Sequence, residues 1–473
     1  MDTRTYNFGM IGLGTMGSNL VLNMSDNGFS VAVYDKQPEK IKTLQKEAKE
    51  GMVYAAADLS DFLQALATPR NIILLVPAGA PVDSVIDELT PHLGKNDLLI
   101  DLGNSHYKDT DRRLAKLQQQ GLHFMGMGIS GGETGARYGA SIMPGGNKDT
   151  YERIAPMLKA VAAKAGGEPC VAYMGTGSAG HYVKMVHNGI EYGLMQLIAE
   201  SYDLLKNVGG LDNEALHLVF SKWNKGQAKS FLLEITAEVV NRKDDLSSAY
   251  LIDVILDRAG QKGTGGWTSE SALELGVPIS VIDAAVTART ISSLKEQREA
   301  ANAKLTRTVT KPYTNTQSLT NDLEQALQFA SIISYSQGLS LLKSAGAAYN
   351  YGLNIAEIAS IWRAGCIIRA AMLENIKTAY LKQLEPELLI TDDYFATLLS
   401  NLQQATRRVL VAGIENGIPL PAFTAALAYY DSFSNTNLPA NLIQGMRDYF
   451  GAHTYKRTDR EGVFHTQWTT KHN

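Results

Sequence analysis

The chain has 473 residues, 45% of them hydrophobic, with 44 basic and 48 acidic side chains and a formal net charge of −4. The length calls for two or three folding units. The charge leaves no basic footprint for nucleic acid and no polybasic patch for a membrane. No apolar run approaches the ~20 residues that span a bilayer, and Met1-Asp2-Thr3-Arg4-Thr5 leads straight into a strand-like run, unlike a signal peptide. The two cysteines, Cys170 and Cys366, form neither a disulfide framework nor a metal-ligand spacing. The expectation is a cytoplasmic protein without a metal site.

In chain order, Phe8–Ile11, Ser30–Tyr34, Asn71–Val76 and Leu98–Asp101 are apolar strands, each followed by a helix-like segment. Apolar strands alternating with helices predict a parallel, doubly wound sheet. After about residue 178 strand alternation gives way to long helical stretches interrupted at Gly209-Gly210, Gly276-Val277-Pro278 and Gly417-Ile418-Pro419. The last two lie in similar pentapeptides, a hint of internal duplication. From Asn435 the chain turns polar. The expected organisation is a Rossmann-like α/β domain over residues 1–178, a large all-α domain for substrate and dimerisation over 179–436, and a C-terminal tail over 437–473.

Gly12-Leu13-Gly14-Thr15-Met16-Gly17 follows the first strand and opens a helix, the context a dinucleotide fingerprint requires. Gly12 permits the tight turn, Gly14 the approach of a pyrophosphate, and Gly17 close helix–strand packing. Thr15 and Met16 place unpaired N–H groups of the helix N-terminus at the phosphates. At the end of the second strand stands Asp35, followed by Lys36. A carboxylate there suits the ribose hydroxyls and repels a 2′-phosphate, which favours NAD; Lys36 keeps NADP open. The alternative for Asp35 is a turn cap. A second glycine pattern, Gly175-Thr176-Gly177-Ser178-Ala179-Gly180, has no acidic strand end about twenty residues on and reads as a close approach between the domains.

On the next helix Lys184, His187, Asn188 and Glu191 share one face, opposite Val183, Val186, Ile190, Leu194 and Leu197. A polar helix face is ordinarily solvated. A lysine, an imidazole, an amide and a carboxylate just after a domain junction on the cofactor crevice point instead to a site.

The segment Lys184-Met185-Val186-His187-Asn188-Gly189-Ile190-Glu191-Tyr192 resembles the signature helix of the 6-phosphogluconate dehydrogenases. The resemblance extends nearly end to end: Asp101-Leu102-Gly103-Asn104-Ser105, Ser130-Gly131-Gly132-Glu133, Gln261-Lys262-Gly263-Thr264-Gly265, Ala288-Arg289, Trp362 to Arg369, and Arg447 to His453. It implies oxidation of 6-phosphogluconate at C3, loss of CO2 and release of ribulose 5-phosphate, a step of the oxidative pentose phosphate pathway. It also implies Lys184 as general base and Glu191 as general acid. Asn104, Ser130, Gly131, Gly132, His187 and Asn188 would hold substrate oxygens. Asn104 would also meet the nicotinamide, with Val76, Pro77 and Ala78 on the cofactor. Lys262, Arg289 and Arg447 would contact the phosphate, with Tyr192 and Thr264 adding hydroxyl donors, and His453 would be a further substrate contact from the tail that carries Arg447. The resemblance further implies a homodimer in which the tail reaches into the partner subunit.

Members of this family that use NADP commonly carry Asn-Arg-Thr or Asn-Arg-Ser where Asp35-Lys36-Gln37 stand, Ala at Gly14, Val-Lys-Ala-Gly at Val76-Pro77-Ala78-Gly79, and Lys at Gly266. Three of the four differences fall on the cofactor side, again favouring NAD. The rival reading is another β-hydroxyacid dehydrogenase acting on a small unphosphorylated 3-hydroxy acid. Such an enzyme would not need Lys262, His187 with Glu191, or the Arg447–His453 tail. A rival of another class, a silent dinucleotide-binding scaffold, would have no use for a matched base and acid.

Overall fold

The apolar runs of the first third form a single sheet in the computed structural model, which describes residues 5–306 and 315–468. Its strands are β1 (Phe8–Ile11), β2 (Val31–Tyr34), β3 (Val53–Ala55), β4 (Asn71–Leu74), β5 (Leu98–Asp101), β6 (His123–Ser130) and β7 (Ser141–Gly146). Their order is β3-β2-β1-β4-β5-β6-β7. Neighbours from β3 through β6 are parallel, and β7 runs antiparallel to β6.

Seven helices cover this sheet: α1 (Thr15–Asp26), α2 (Pro38–Glu47), α3 (Leu59–Gln64), α4 (Ala80–Leu89), α5 (Tyr107–Gln118), α6 (Gly132–Tyr138) and α7 (Lys148–Val161). One core gathers Leu20, Val21, Ile41, Leu44, Ile154 and Leu158 from α1, α2 and α7. The other gathers Phe62, Val82, Ile86 and Leu117 from α3, α4 and α5. Helices therefore cover both faces, and each fully buried Val, Leu or Ile adds about 1.5–3 kcal/mol. The chain order reverses between β1 and β4, which opens a crevice at their carboxyl ends.

The 29-residue α8 (Ala179–Asn207) carries the chain into the helical region. It packs on β6 and β7 and against the helices Thr264–Leu275, Ser280–Ser293 and Thr316–Ala348. The second glycine pattern is where these layers meet. A Cβ at Gly175 would lie 1.9 Å from Tyr351 O, and one at Gly180 would lie 2.4 Å from both Gly126 O and Met143 O.

The two similar pentapeptides are one helix-ending device used twice. Gly276 and Gly417 take φ of 66° and 67°. The following amides reach back five residues, Val277 N to Ala272 O at 2.9 Å and Ile418 N to Gly413 O at 2.9 Å.

Sheet and helices pack as one compact unit, Met1–Ala426, and Leu427–Asn473 form a second. In the second unit the helix Ala440–Gly451 is followed by a segment that folds back through a bridge between Tyr455 and Phe464. The buried Asp448 carboxylate accepts from Thr454 N, Thr466 N, His465 Nδ1 and Trp468 Nε1. Residues 469–473 of the expected tail lie outside the described residues. Among the described residues no helix is long and apolar enough to cross a membrane, and no three His, Cys, Asp or Glu side chains are grouped to hold a metal ion.

Candidate active site

The first glycine pattern forms the turn between β1 and α1. Gly12 has φ +98°, and a Cβ there would sit 2.5 Å from Leu75 O. A Cβ at Gly17 would meet Gly12 O at 2.1 Å. Gly14 has nothing within 4 Å of the same position and serves as the N-cap of α1, whose first turn has neither a side-chain cap nor an acidic residue. Gly14 and Thr15 are exposed and Met16 half-buried, so the N-terminus of α1 is open to solvent, as a pyrophosphate site requires. Beside it a cavity of about 160 Å³ is lined by Tyr34, Asp35, Lys36, Val76, Val85 and Glu88 among others.

Asp35 is engaged by the backbone on both oxygens. Leu13 N donates to Oδ2 at 2.7 Å and Gln37 N to Oδ1 at 2.9 Å. Lys40 Nζ stands 3.9 Å from the same carboxylate, and Lys36 Nζ lies 3.9 Å from Glu88. The carboxylate caps the turn between β1 and α1, with Lys40 beside it.

The polar face of α8 is largely withdrawn from solvent: Lys184 and His187 are buried, Asn188 and Glu191 half-buried. Lys184 is 7% exposed and His187 0%, because Gly126 and Gly128 of β6 remove the side chains that would hold the helix off the sheet. A Cβ at Gly128 would lie 2.3 Å from Lys184 Cβ. His187 Nδ1 is 3.0 Å from Asn188 Oδ1, 3.5 Å from Lys184 Nζ and 3.9 Å from Glu191 Oε2. Its Nε2 is 3.2 Å from Ser130 Oγ, which itself accepts from Ile367 N at 3.3 Å. A neutral imidazole protonated at Nδ1 satisfies this set: Nδ1–H donates to Asn188, and Ser130 O–H donates to Nε2. Trp362 packs edge-on against the ring at 5.5 Å and fixes its plane.

Burial is the largest influence on the titration of the side chains here. It pushes Lys184 below the ordinary lysine range, against the opposing pull of Glu191. It pushes Glu191 above the ordinary carboxylate range, against Lys184 and Arg289. His187 falls well below its usual value through burial and the neighbouring Lys184. Burial also lifts the Cys366 thiol to about 12, so it is not a thiolate near neutral pH. One helix thus holds a lysine biased toward the amine and, two turns on, a carboxyl biased toward the acid.

Around Glu191 the structure gathers further residues that the sequence singled out. Asn188 Nδ2 donates to Thr264 Oγ1 at 3.4 Å. Arg289 stacks on the Tyr192 ring, 3.5 Å from its centroid, and donates to Gly260 O at 3.3 Å. Lys262 is exposed in the loop two residues before Thr264. Gly131 (φ 131°) and Gly132 (φ 61°) turn the chain from β6 into α6, next to Ser130. Asn104 lies in the loop after β5, between Gly103 and Ser105, both of which bond to Asp101. Arg447 and His453 belong to the second unit, where Arg447 donates to Gln444 Oε1 at 3.1 Å. Gly126, Gly128, Trp362 and Ile367 carried no expected role. The Gly-x-Gly spacing in β6 is the one sequence signal for two of them, since alternate glycines on a strand mark a close approach.

A glycine-rich turn between β1 and α1 on the same unit as a helix that pairs a buried lysine with a half-buried carboxyl has the features of a dinucleotide-dependent dehydrogenase. Comparison with known proteins narrows the class. Residues 7–175 match the family described as the NAD binding domain of 6-phosphogluconate dehydrogenase, and residues 180–468 match the 6-phosphogluconate dehydrogenase C-terminal domain. The Bacillus subtilis protein named "6-phosphogluconate dehydrogenase, NADP(+)-dependent, decarboxylating" is 52% identical over 461 residues, 97% of this chain and 98% of that one. An Escherichia coli K12 relative, named as a decarboxylating 6-phosphogluconate dehydrogenase, is 49% identical over 97% of this chain and 98% of its own length. The solved Plasmodium falciparum 6-phosphogluconate dehydrogenase, described with its cofactor NADP+ and with 6-phosphogluconate, superposes with a TM-score of 0.94 at 46% identity, covering 98% of this chain and all of that one. The chain belongs to the 6-phosphogluconate dehydrogenase family.

These findings correct one expectation. The sequence favoured NAD from Asp35, yet the Bacillus relative is named NADP(+)-dependent and the Plasmodium structure was solved with NADP+. The physical reason lies in the geometry: Asp35 is spent on the amides of Leu13 and Gln37, in the capping role that was the alternative for it.

Proposed function

We propose that this chain oxidises and decarboxylates 6-phospho-D-gluconate to D-ribulose 5-phosphate and CO2 with reduction of NADP, in the cytoplasm, as a step of the oxidative pentose phosphate pathway. The observation that carries this reading is the pair on α8, the buried Lys184 pushed toward the amine and the half-buried Glu191 toward the acid, with His187 between them. Bound in the cradle, the nicotinamide supplies the hydride acceptor.

Lys184 takes the proton of the C3 hydroxyl as the hydride leaves C3. As an ammonium it stabilises the C3 oxygen while the carboxylate departs as CO2 and the bonding pair becomes the C2–C3 double bond of an enediolate. Lys184 returns its proton to that oxygen. Glu191 then protonates C2 while Lys184 withdraws the hydroxyl proton, leaving the ketone. One proton transfer from Lys184 to Glu191 restores the starting pair. His187, Asn188, Ser130 and the Gly131-Gly132 backbone orient the carboxylate and hydroxyls, and Asn104 stands at the nicotinamide end.

Arg289 and Lys262, with Tyr192 and Thr264, receive the substrate phosphate; an arginine whose face is already stacked keeps its N–H edge for phosphate. Arg447 and His453 complete the site from the tail of a second copy in a homodimer. The helix Ala440–Gly451, with Leu442, Ile443, Met446, Tyr449 and Phe450 exposed in the isolated chain, supports such docking. Gly12, Gly14, Thr15, Met16 and Gly17 cradle the pyrophosphate, and Val76, Pro77 and Ala78 line its path. Lys36, with Lys40 nearby, meets the 2′-phosphate. We retain residues 1–178 as the cofactor domain, 179–436 as the substrate and dimerisation domain and 437–473 as the tail.

Initial rates of NADPH formation with 6-phosphogluconate and with a small unphosphorylated 3-hydroxy acid test this reading. Turnover of the phosphorylated substrate alone is expected. Preference for the unphosphorylated acid would restore the rival dehydrogenase.

A further inference from the structure

Beneath the crevice a single guanidinium uses all five of its N–H bonds. Arg113, on α5, is 1% exposed. Its Nε donates to Asp83 Oδ1 at 2.9 Å and its Nη2 to Asp83 Oδ2 at 3.1 Å, a two-pronged pair with α4. The second Nη2 hydrogen goes to the carbonyl of Gly79 at 3.1 Å. The two Nη1 hydrogens go to Asp101 Oδ2 at 3.3 Å and Ser105 Oγ at 3.2 Å. Asp101, 1% exposed, in turn accepts from Gly103 N at 3.0 Å and from Ser105 Oγ at 2.6 Å.

The partners of this side chain sit in two separate loops. Gly79 ends the Val76-Pro77-Ala78-Gly79 turn after β4. Gly103 and Ser105 bracket Asn104 after β5. The loops also touch each other, since a Cβ at Gly103 would come within 3.4 Å of Val76 O. The same helix α5 reaches α8 one turn earlier, where Thr110 Oγ1 is 2.6 Å from Nδ1 of the buried His181, three residues before Lys184.

We propose that Arg113 is a positioning residue for the cofactor: it fixes the turn 76–79 and the loop 101–105 in one geometry, so that the backbone of residues 76–78 along the pyrophosphate and Asn104 at the nicotinamide end meet the cofactor together. This rests on the reading above, that both loops face the cofactor. Charge alone does not do this work. The ammonium of a lysine has three N–H bonds on one atom and cannot serve Asp83, Gly79 and the Asp101–Ser105 pair from a planar fork. Arg113→Lys therefore keeps the positive charge against Asp101 and removes the geometry.

The test uses the full-length protein, with steady-state kinetics in both substrates and the affinity for 6-phosphogluconate measured by calorimetry without cofactor. Arg113→Lys is expected to raise KM for NADP about tenfold or more and to lower kcat, with the affinity for 6-phosphogluconate, for which Asn104 is one contact among several, falling clearly less. Ser105→Ala, which removes one hydroxyl and no charge, is expected to move the same two parameters in the same direction by less. If Arg113→Lys does not fold, Ser105→Ala alone decides. Unchanged NADP KM and kcat, or an equal loss of affinity for both ligands, would overturn the proposal, whatever the thermal midpoint does. A wild-type protein inactive with NADP and 6-phosphogluconate would instead refute the functional reading itself.

Discussion

Gly128→Ala should disable the enzyme through one methyl group. The added Cβ would lie 2.3 Å from Lys184 Cβ, 2.9 Å from its Cγ and 3.2 Å from Gly180 O. Carbon atoms pack at about 3.5–4.0 Å, so the contact with Lys184 Cβ falls short by roughly 1 Å or more. Retreat of α8 is blocked. On its far side a Cβ at Gly189 would already press on Thr268 Cγ2 at 2.7 Å, and one at Gly193 on Ser334 Oγ at 2.5 Å. The methyl must be absorbed by displacing the Lys184 side chain or bending β6. Overpacking of this kind costs about 1–3 kcal/mol of stability, and a ~1 Å displacement of a reacting group costs about 100-fold in rate. Urea unfolding and kcat at saturating 6-phosphogluconate and NADP measure the two effects. Gly14→Ala, whose Cβ would meet nothing within 4 Å, is the stability control and should stay within about 0.5 kcal/mol of wild type. A Gly128→Ala enzyme with kcat within about twofold of wild type would refute the claim that this glycine exists to seat Lys184.

Lys184→Met should abolish turnover while stabilising the fold, because it removes a buried amine. The folded-state pKa of Lys184 lies below the unfolded one, so the unfolded state binds the extra proton. The advantage of the variant should therefore grow as pH falls through that window, and be smallest at alkaline pH, by urea unfolding across pH. Glu191→Gln should lower kcat by about 100-fold or more and remove the alkaline limb of the pH–rate profile, since the acid role proposed for Glu191 requires it protonated. Arg289→Ala should raise KM for 6-phosphogluconate by about tenfold or more while kcat falls less, as expected for loss of ground-state phosphate contacts; an unchanged KM would remove Arg289 from the phosphate site.

Much of this was legible in the chain because chemistry and packing coincide at short range. The turn from Gly12 to Gly17 and the face from Lys184 to Glu191 are each one local element, and their spacing carries their meaning. The strand β6 was not among those read from the chain: in His123–Ser130 glycine replaces the side chains at 126 and 128, and the reason shows only when α8 is seen lying against Gly126 and Gly128. The fork of Arg113 was hidden for another reason. Its partners at positions 79, 83, 101 and 105 come together only through the sheet order, and an arginine on a helix reads as a surface charge. Asp35 misled because position predicts proximity to the ribose but not which hydrogen bonds the carboxylate already makes.

The most direct measurement is the yield of CO2 set against the yield of NADPH from 6-phosphogluconate. A base and an acid on one helix, acting in sequence, predict one CO2 for each NADPH and ribulose 5-phosphate as the product. NADPH without CO2 would mean that oxidation occurs but that the Lys184 ammonium does not assist loss of CO2 as proposed.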